Sequence, residues 1–264
     1  MRKYLEVLKL QFKLEMSFRL DIFFGMLFTV LRVLFAMIVW PAVFGNQAEI
    51  GGFTLPMMLS FYVLTSFIAG LDSSEGIAWE ISSRVRQGTF TKFLIIPADT
   101  ETYLQAQTFG VSALYVFLSF LVSAVWVILF QIPIVITGNG AAILAAGAMV
   151  VLGLFVLNQI NFLIGIMAFK LLDISTFLML KNNLIAFLTG TYLPLSLLPL
   201  WLQNGMRVFP FYYVNNLPAM LLIGRSEDEI AMGFLVLSLW GIVLLFLNRS
   251  AFHALRKKYD GVGV

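Results

Sequence analysis

Six stretches of this chain are apolar for about twenty residues at a time, long enough to cross a ~30 Å hydrocarbon layer as helices. They run Ile22 to Phe44, Phe53 to Leu71, Leu104 to Phe130, Ala141 to Phe169, Ile174 to Leu195 and Ile230 to Leu247. None alternates with the two-residue period of a strand, so length and pattern predict an all-α, polytopic membrane protein of six transmembrane helices. A soluble fold of this size could not bury such a load. Hydrophobic residues make up 60% of the chain and charged residues 12%, where soluble domains carry roughly a quarter charged. Residues 1–264 are expected to form a single transmembrane domain, with neither an internal repeat nor an appended soluble unit.

The basic residues orient the spans. Fourteen of the seventeen Lys and Arg residues fall on one side: before the first span, between the second and third, around the fourth-to-fifth turn, and after the sixth. Only Arg207 and Arg225 fall on the other side, and Arg32 lies within the first span. Both termini are therefore expected in the cytoplasm. Trp40 and Trp201 fall near the outer interface and Trp79 near the inner one, although tryptophan in a bundle core would serve equally well.

Several chemistries are excluded. With no cysteine, disulfides, thiolate catalysis and Cys-ligated metals are ruled out, and the single histidine, His253, rules out a two-histidine metal motif. No G-x-x-x-x-G-K-[ST] phosphate loop is present; Gly88-Thr89-Phe90-Thr91-Lys92 does not fit it. No Ser/His/Asp cluster and no paired intramembrane acids stand out. No catalytic, metal or cofactor site is expected in the chain itself. The charged first 21 residues lack a secretory-signal pattern and are expected to be retained.

Residues 1–19 read as an interfacial helix. Leu5, Leu8, Phe12 and Met16 share one face, with Glu6, Lys9 and Lys13 opposite. A solvated extension of the first span is the alternative. The stretch Asp72–Thr102 is charged yet periodic, with Ile77, Ile81 and Val85 at i, i+4 and i+8. Gly88 can end that helix, Phe90, Phe93 and Leu94 form a second apolar cluster, and Pro97 stops it. Such periodicity fits a structured docking element; a short interfacial helix with no partner is the bland alternative.

The run Arg84-Val85-Arg86-Gln87-Gly88-Thr89-Phe90, followed by Phe93-Leu94-Ile95-Ile96-Pro97, resembles the motif after the second span in type-2 ATP-binding-cassette (ABC) transporter permeases. The resemblance extends over the whole chain, and Phe18-Arg19-Leu20-Asp21 looks like the branch found beside a second, different permease. The family often has an acid just before the glycine. Here Gln87 stands there, so a role for that acid does not carry over, and Glu80, one helical face earlier, is only a candidate substitute. The resemblance implies a cytoplasmic coupling loop, residues 72–102, that engages a separate ATPase through Ile77, Glu80, Ile81, Arg84, Arg86, Gly88, Thr89, Phe90, Phe93, Leu94 and Pro97. It also implies an ATPase dimer holding ATP and Mg, a second permease that is identical or related, and residence in a bacterial inner membrane.

Residues 196–225 lie on the outer side but are not water-loving. Leu197, Leu198, Trp201, Phe209, Phe211, Tyr212 and Leu217 crowd a stretch broken by Pro199, Pro210 and Pro218. Apolar, irregular backbone of this kind is tolerated at membrane depth only where protein shelters it, which predicts a re-entrant hairpin before the last helix. A seventh span is the competing reading. Arg32 in mid-span costs at least ~2.5–3.5 kcal/mol unless it snorkels or faces a partner. Asn158 and Asn161 lie on one face of the fourth span, beside Gln159 and ahead of Asn182 and Asn183. Arg32, Asn158 and Asn161 are candidates for the substrate path or a subunit interface, with interhelical hydrogen bonding the bland reading of the amides.

The expected function is the permease subunit of an ATP-driven exporter of amphiphilic, lipid-linked or drug-like molecules, with lipid and cytosolic ATPase as partners and no nucleic acid. A secondary transporter or channel subunit working without ATP, or a membrane scaffold, are the alternatives.

Overall fold

The computed structural model describes residues 2–15, 19–95, 99–171, 173–188 and 198–258. Among them helices dominate and no strand is found, only an isolated antiparallel bridge between Ile50 and Phe53. The helices are α1 (Arg2–Glu15), α2 (Arg19–Phe44), α3 (Leu55–Gly70), α4 (Glu75–Arg86), α5 (Thr91–Ile95), α6 (Thr100–Leu129), α7 (Gly140–Ile166), α8 (Ser175–Leu188), α9 (Leu200–Met206), α10 (Leu217–Leu222) and α11 (Ile230–Leu255).

Local chemistry sets several boundaries. Thr54 caps α3 by accepting from the Met57 N–H at 3.4 Å, and Asn139 caps α7 by accepting from the Ala141 N–H at 3.0 Å. Asp173 accepts from the N–H of Ser175 at 2.9 Å and from its hydroxyl, and those bonds hold its carboxyl below the usual carboxylate range. α4 ends in a Schellman turn: Gly88, at φ +68°, donates to Val85 at 3.1 Å, and Thr89 donates to Arg84 at 2.9 Å.

Four helical stretches are long and apolar enough to cross a membrane: 55–86, 100–129, 140–169 and 227–255. α2, with 26 residues, reaches about 39 Å at 1.5 Å per residue, and its apolar described part is Val33–Phe44. α8 has 14 residues, about 21 Å, and the rest of that apolar run, 189–197, lies outside the described residues.

Two ends of the bundle are distinct. At one, Thr137 donates to Leu222 at 2.8 Å, Asn139 to Glu227 at 2.8 Å and Arg225 to the Gly52 carbonyl at 2.7 Å, joining three inter-helix loops. At the other, the terminal end, α4, α5 and the end of α11 share a buried core, and α1 packs on α6 across a cleft from α4.

The segment after α3 turns at residues 71–74 and continues as α4, packed on α7. α1 crosses α6 so closely that a Cβ at Gly110 would sit 2.5 Å from the Leu8 carbonyl oxygen, while Leu5, Leu10 and Leu14 stay exposed.

Residues 198–225 are far from a solvated loop. α9 is followed by a π-turn, Tyr212–Asn216, in which Leu217 donates to Tyr212, and then by α10. Phe211 through Leu221 is buried without a break. Gly153 of α7 makes room for it: a Cβ there would stand 3.1 Å from the Val214 Cα, and at Gly233 of α11 one would stand 2.9 Å from Leu217. Arg207 of this segment pairs with Glu229 at 2.7 Å.

Candidate functional site

α4 is amphipathic, and its two faces go to different places. Ile77 (3% exposed), Ile81 and Val85 enter a core with Phe162 and Ile166 of α7, Leu178 of α8 and Phe252 of α11. Gly165 permits the closest approach, since a Cβ there would lie 2.9 Å from the Ala78 Cα. Gly76, Trp79, Arg86 and Gln87 are exposed, and Thr91 and Lys92 continue that surface. α4 is thus seated on the bundle by one side and bare on the other.

The aromatic cluster after Gly88 also turns inward. Phe90 is fully buried, with ring centroids 4.9 Å from Phe169, 5.4 Å from Phe93 and 6.3 Å from Phe252. In the chain itself Phe90 is covered by Phe169 and Phe252, and Phe93 lies against Phe90 and, at 5.9 Å, Tyr103 of α6. Glu80 and Arg84 satisfy each other at 2.9 Å, and the Arg84 guanidinium lies over the Phe93 ring at 4.9 Å. Arg86 is left pointing outward. The structure thus brings Ile77, Ile81, Phe90 and Phe93 into one core, pairs Glu80 with Arg84, and sets Gly88 and Thr89 at the turn between them. The side chain of Leu94 and all of Pro97 lie outside the described residues, as does the Arg32 side chain.

Behind α4 lies a polar lattice. Asn161 of α7 donates to the Ser74 hydroxyl at 2.6 Å, and Lys181 of α8 donates to Asn161 Oδ1 at 2.8 Å. Lys181 also stands 3.7 Å from Glu75 Oε2, the oxygen that accepts from Asn182 at 2.8 Å, while Trp79 donates to the other Glu75 oxygen at 3.0 Å. Ser74 donates through its N–H (2.9 Å) and hydroxyl to Asp72. Lys181 is only 8% exposed, so it is a structural cation rather than a free flanking charge.

One turn along α7, Asn158 is buried and neither of its amide atoms has a hydrogen-bond partner among the described residues. On the other side of α7, Asn248 of α11 donates to Gln159 Oε1 at 2.6 Å and to its carbonyl at 3.0 Å, fixing α7 to α11. The amides singled out by sequence therefore part company: Asn161 is bound into the lattice and Asn158 is not.

Two hollows adjoin the lattice. A cleft of about 350 Å³ separates α4 from α1 and α6, with Gln11, Asp72, Glu80, Gln107 and Thr108 in its wall. A cavity of about 90 Å³ lies between α3, α7, α8 and the π-turn, where Asp72 and Asn215 are the polar groups among apolar walls. Asp72 borders both. Asp72, Ser74, Glu75 and Lys181 were missed as candidates. The Asp-Ser-Ser-Glu run ahead of a helix and a lysine six residues inside a helix of otherwise apolar character were the available signals.

Comparison with curated proteins and with solved structures finds no match. The family described as ABC-2 family transporter protein matches residues 30–263, nearly the whole chain and every element of this site beyond α1 and the start of α2. Membrane subunits of this family are not themselves ATPases and work with an ATP-binding cassette partner. With a bundle of apolar helices, a structured α4 and a match of that extent, the chain belongs to the ABC-2 family as a membrane permease subunit of an ABC transporter.

Proposed function

We propose that this chain is an export permease, driven by two cytosolic ATPases that dock on the bare face of α4 and α5. The observation that carries the reading is the division of α4: one face is locked to α7, and the other presents Trp79, Arg86 and Gln87, with Lys92 beside them. A helix rigidly seated on the bundle passes displacement to the spans, as hinge and shear movements of packed helices require. Ile77, Ile81, Phe90 and Phe93 take part by seating the element, Glu80 and Arg84 by stiffening it, and Gly88 and Thr89 by shaping its turn. Arg86 and Lys92 favour an acidic partner surface. Exposed pairs of this sort give only ~0–1 kcal/mol each, so they tune docking while apolar contact around Trp79 supplies most of the affinity.

The sidedness in the rest of the reading follows the charge distribution, and the second permease and the cargo follow the family. The terminal end faces the cytoplasm of a bacterial cell, six helices span the inner membrane, and residues 196–225 re-enter from outside without crossing. Two permeases, identical or related, enclose the path, with Arg32 and Asn158 facing it or the subunit boundary. The cargo is amphiphilic, lipid-linked or drug-like.

The test is co-purification with the ATPase encoded beside this chain. Trp79→Asp combined with Arg86→Glu is expected to remove the ATPase while leaving the permease inserted and its melting temperature unchanged. Retention of the ATPase at the wild-type ratio would count against docking on this face.

A further inference from the structure

Few side chains hold α8 to the rest of the described bundle. Of its fourteen residues, Leu178, Lys181 and Leu188 are buried. Lys181 sits between the two leucines and makes the polar contacts: 2.8 Å to Asn161 on α7 and 3.7 Å to Glu75 on α4. Asn182 adds a second bond from α8 to the same Glu75 oxygen at 2.8 Å. Asn161 then donates to Ser74 at the head of α4 at 2.6 Å. The contacts thus close a triangle of α8, α7 and α4.

A buried ammonium is costly unless it keeps its partners. Any arrangement that drew α8 away from α7, or α4 away from either, would leave the buried Lys181 charge without Asn161 or Glu75. α4 is also tied to α7 by the close approach of Ala78 to Gly165. Toward α6 the packing is less complete, because the 350 Å³ cleft, lined by Glu80, Gln107 and Thr108, opens between the two helices. α4 is thus fastened to α7 and α8 along its length, whereas toward α6 it is held at its head, where Ser73 bonds to the Thr108 carbonyl at 3.4 Å and meets the Ser112 hydroxyl at 2.9 Å, and by Leu104 in the shared core.

We infer that Lys181 is a positioning residue that fastens α4 to α8, so that the two helices move as one body while the cleft between α4 and α6 changes width. The source of the motion rests on the proposed docking of an ATPase at α4; the fastening itself does not.

The chain has no cysteine, so pairs of spin labels can be placed cleanly. One pair joins Gln87 on α4 to Asn183 on α8, and the other joins Gln87 to Ala113 on α6; all three positions are exposed. Distances are measured by pulsed electron resonance on the permease–ATPase complex, without nucleotide and with a non-hydrolysable ATP analogue and Mg²⁺. The expected result is a single narrow Gln87–Asn183 distance that is the same in both states, and a Gln87–Ala113 distance that shifts. In Lys181→Met the Gln87–Asn183 distribution is expected to broaden, and α8 to lose its response to nucleotide while the ATPase stays bound. Asn161→Ala tests the same tie should Lys181→Met fail to insert. A Gln87–Asn183 distance that changes as much as Gln87–Ala113, or one that stays narrow in the tested variant, would overturn the inference. If no ATPase binds, the docking reading fails alone: the isolated permease still reports the fastening as a narrow distance in the wild type and a broad one in the variant.

Discussion

A phenylalanine in a segment between two spans can face a partner or its own protein, and Phe90 faces its own. Its ring is enclosed by Phe93, Phe169 and Phe252. Phe90→Ala is therefore expected to cost about 3–5 kcal/mol, the usual range for emptying a buried aromatic site, and to lower the melting temperature of the purified permease. Arg86→Ala, at an exposed position, should change stability by no more than about 0.5 kcal/mol; equal melting shifts for the two would contradict the placement of Phe90. Gly88 holds φ +68°, so Gly88→Val should add strain of about 1–3 kcal/mol at the turn. That loss is expected as weaker ATPase retention with normal insertion. Among single residues the sequence made Gly88 legible, because only glycine enters that backbone region cheaply. It did not reveal the direction of Phe90, since an apolar side chain beside water gives the same pattern whether a partner or a neighbouring helix covers it. Lys181 was legible only as a charge. Its role depends on Asn161 and Glu75, which are 20 and 106 residues away.

At the scale of elements, periodicity carried far. The i, i+4, i+8 spacing of Ile77, Ile81 and Val85 marks one buried face, and that face is buried in the fold. What periodicity cannot supply is the surface that face meets, which here is set by the gap at Gly165. The same is true of the segment before α11. Its prolines and lack of charge indicate shelter within protein, but where it packs is decided by Gly153, which admits Val214 halfway along α7. Gly153→Leu is expected to expel the π-turn, with loss of melting stability greater than that of Gly147→Leu, where nothing lies within 4 Å of the added carbon. Similar losses at both positions would argue against insertion of this segment beside α7. For its topology, tags inserted near Asn204 and near Arg225 should both report from outside the cell; a cytoplasmic signal from either would turn the hairpin into a span.

For the whole molecule, the outer surface is apolar where a soluble protein would be charged. Phe35 and Ile38 on α2, Phe117, Phe120 and Ile128 on α6, and Leu235, Leu239 and Phe246 on α11 are all exposed. Patches on this scale need a cover, and lipid supplies it. The spans and their number were read from composition and run length, and four helical stretches meet both criteria among the described residues. The sidedness rests on fourteen basic residues and is testable residue by residue, since the chain lacks cysteine. Single cysteines at Asn46 and Gly138 should react with an impermeant thiol reagent in intact cells, and those at Ser83 and Lys257 only after permeabilisation. Labelling of Ser83 from outside would invert the orientation.

The central claim is that the bare face of α4 meets a separate ATPase, and a photo-crosslinking residue at Gln87 tests it most directly. Irradiation of cells that express the neighbouring ATPase is expected to yield a permease–ATPase adduct from Gln87 and none from Gly138 at the opposite end. Adducts from neither position, or from both alike, would contradict the claim.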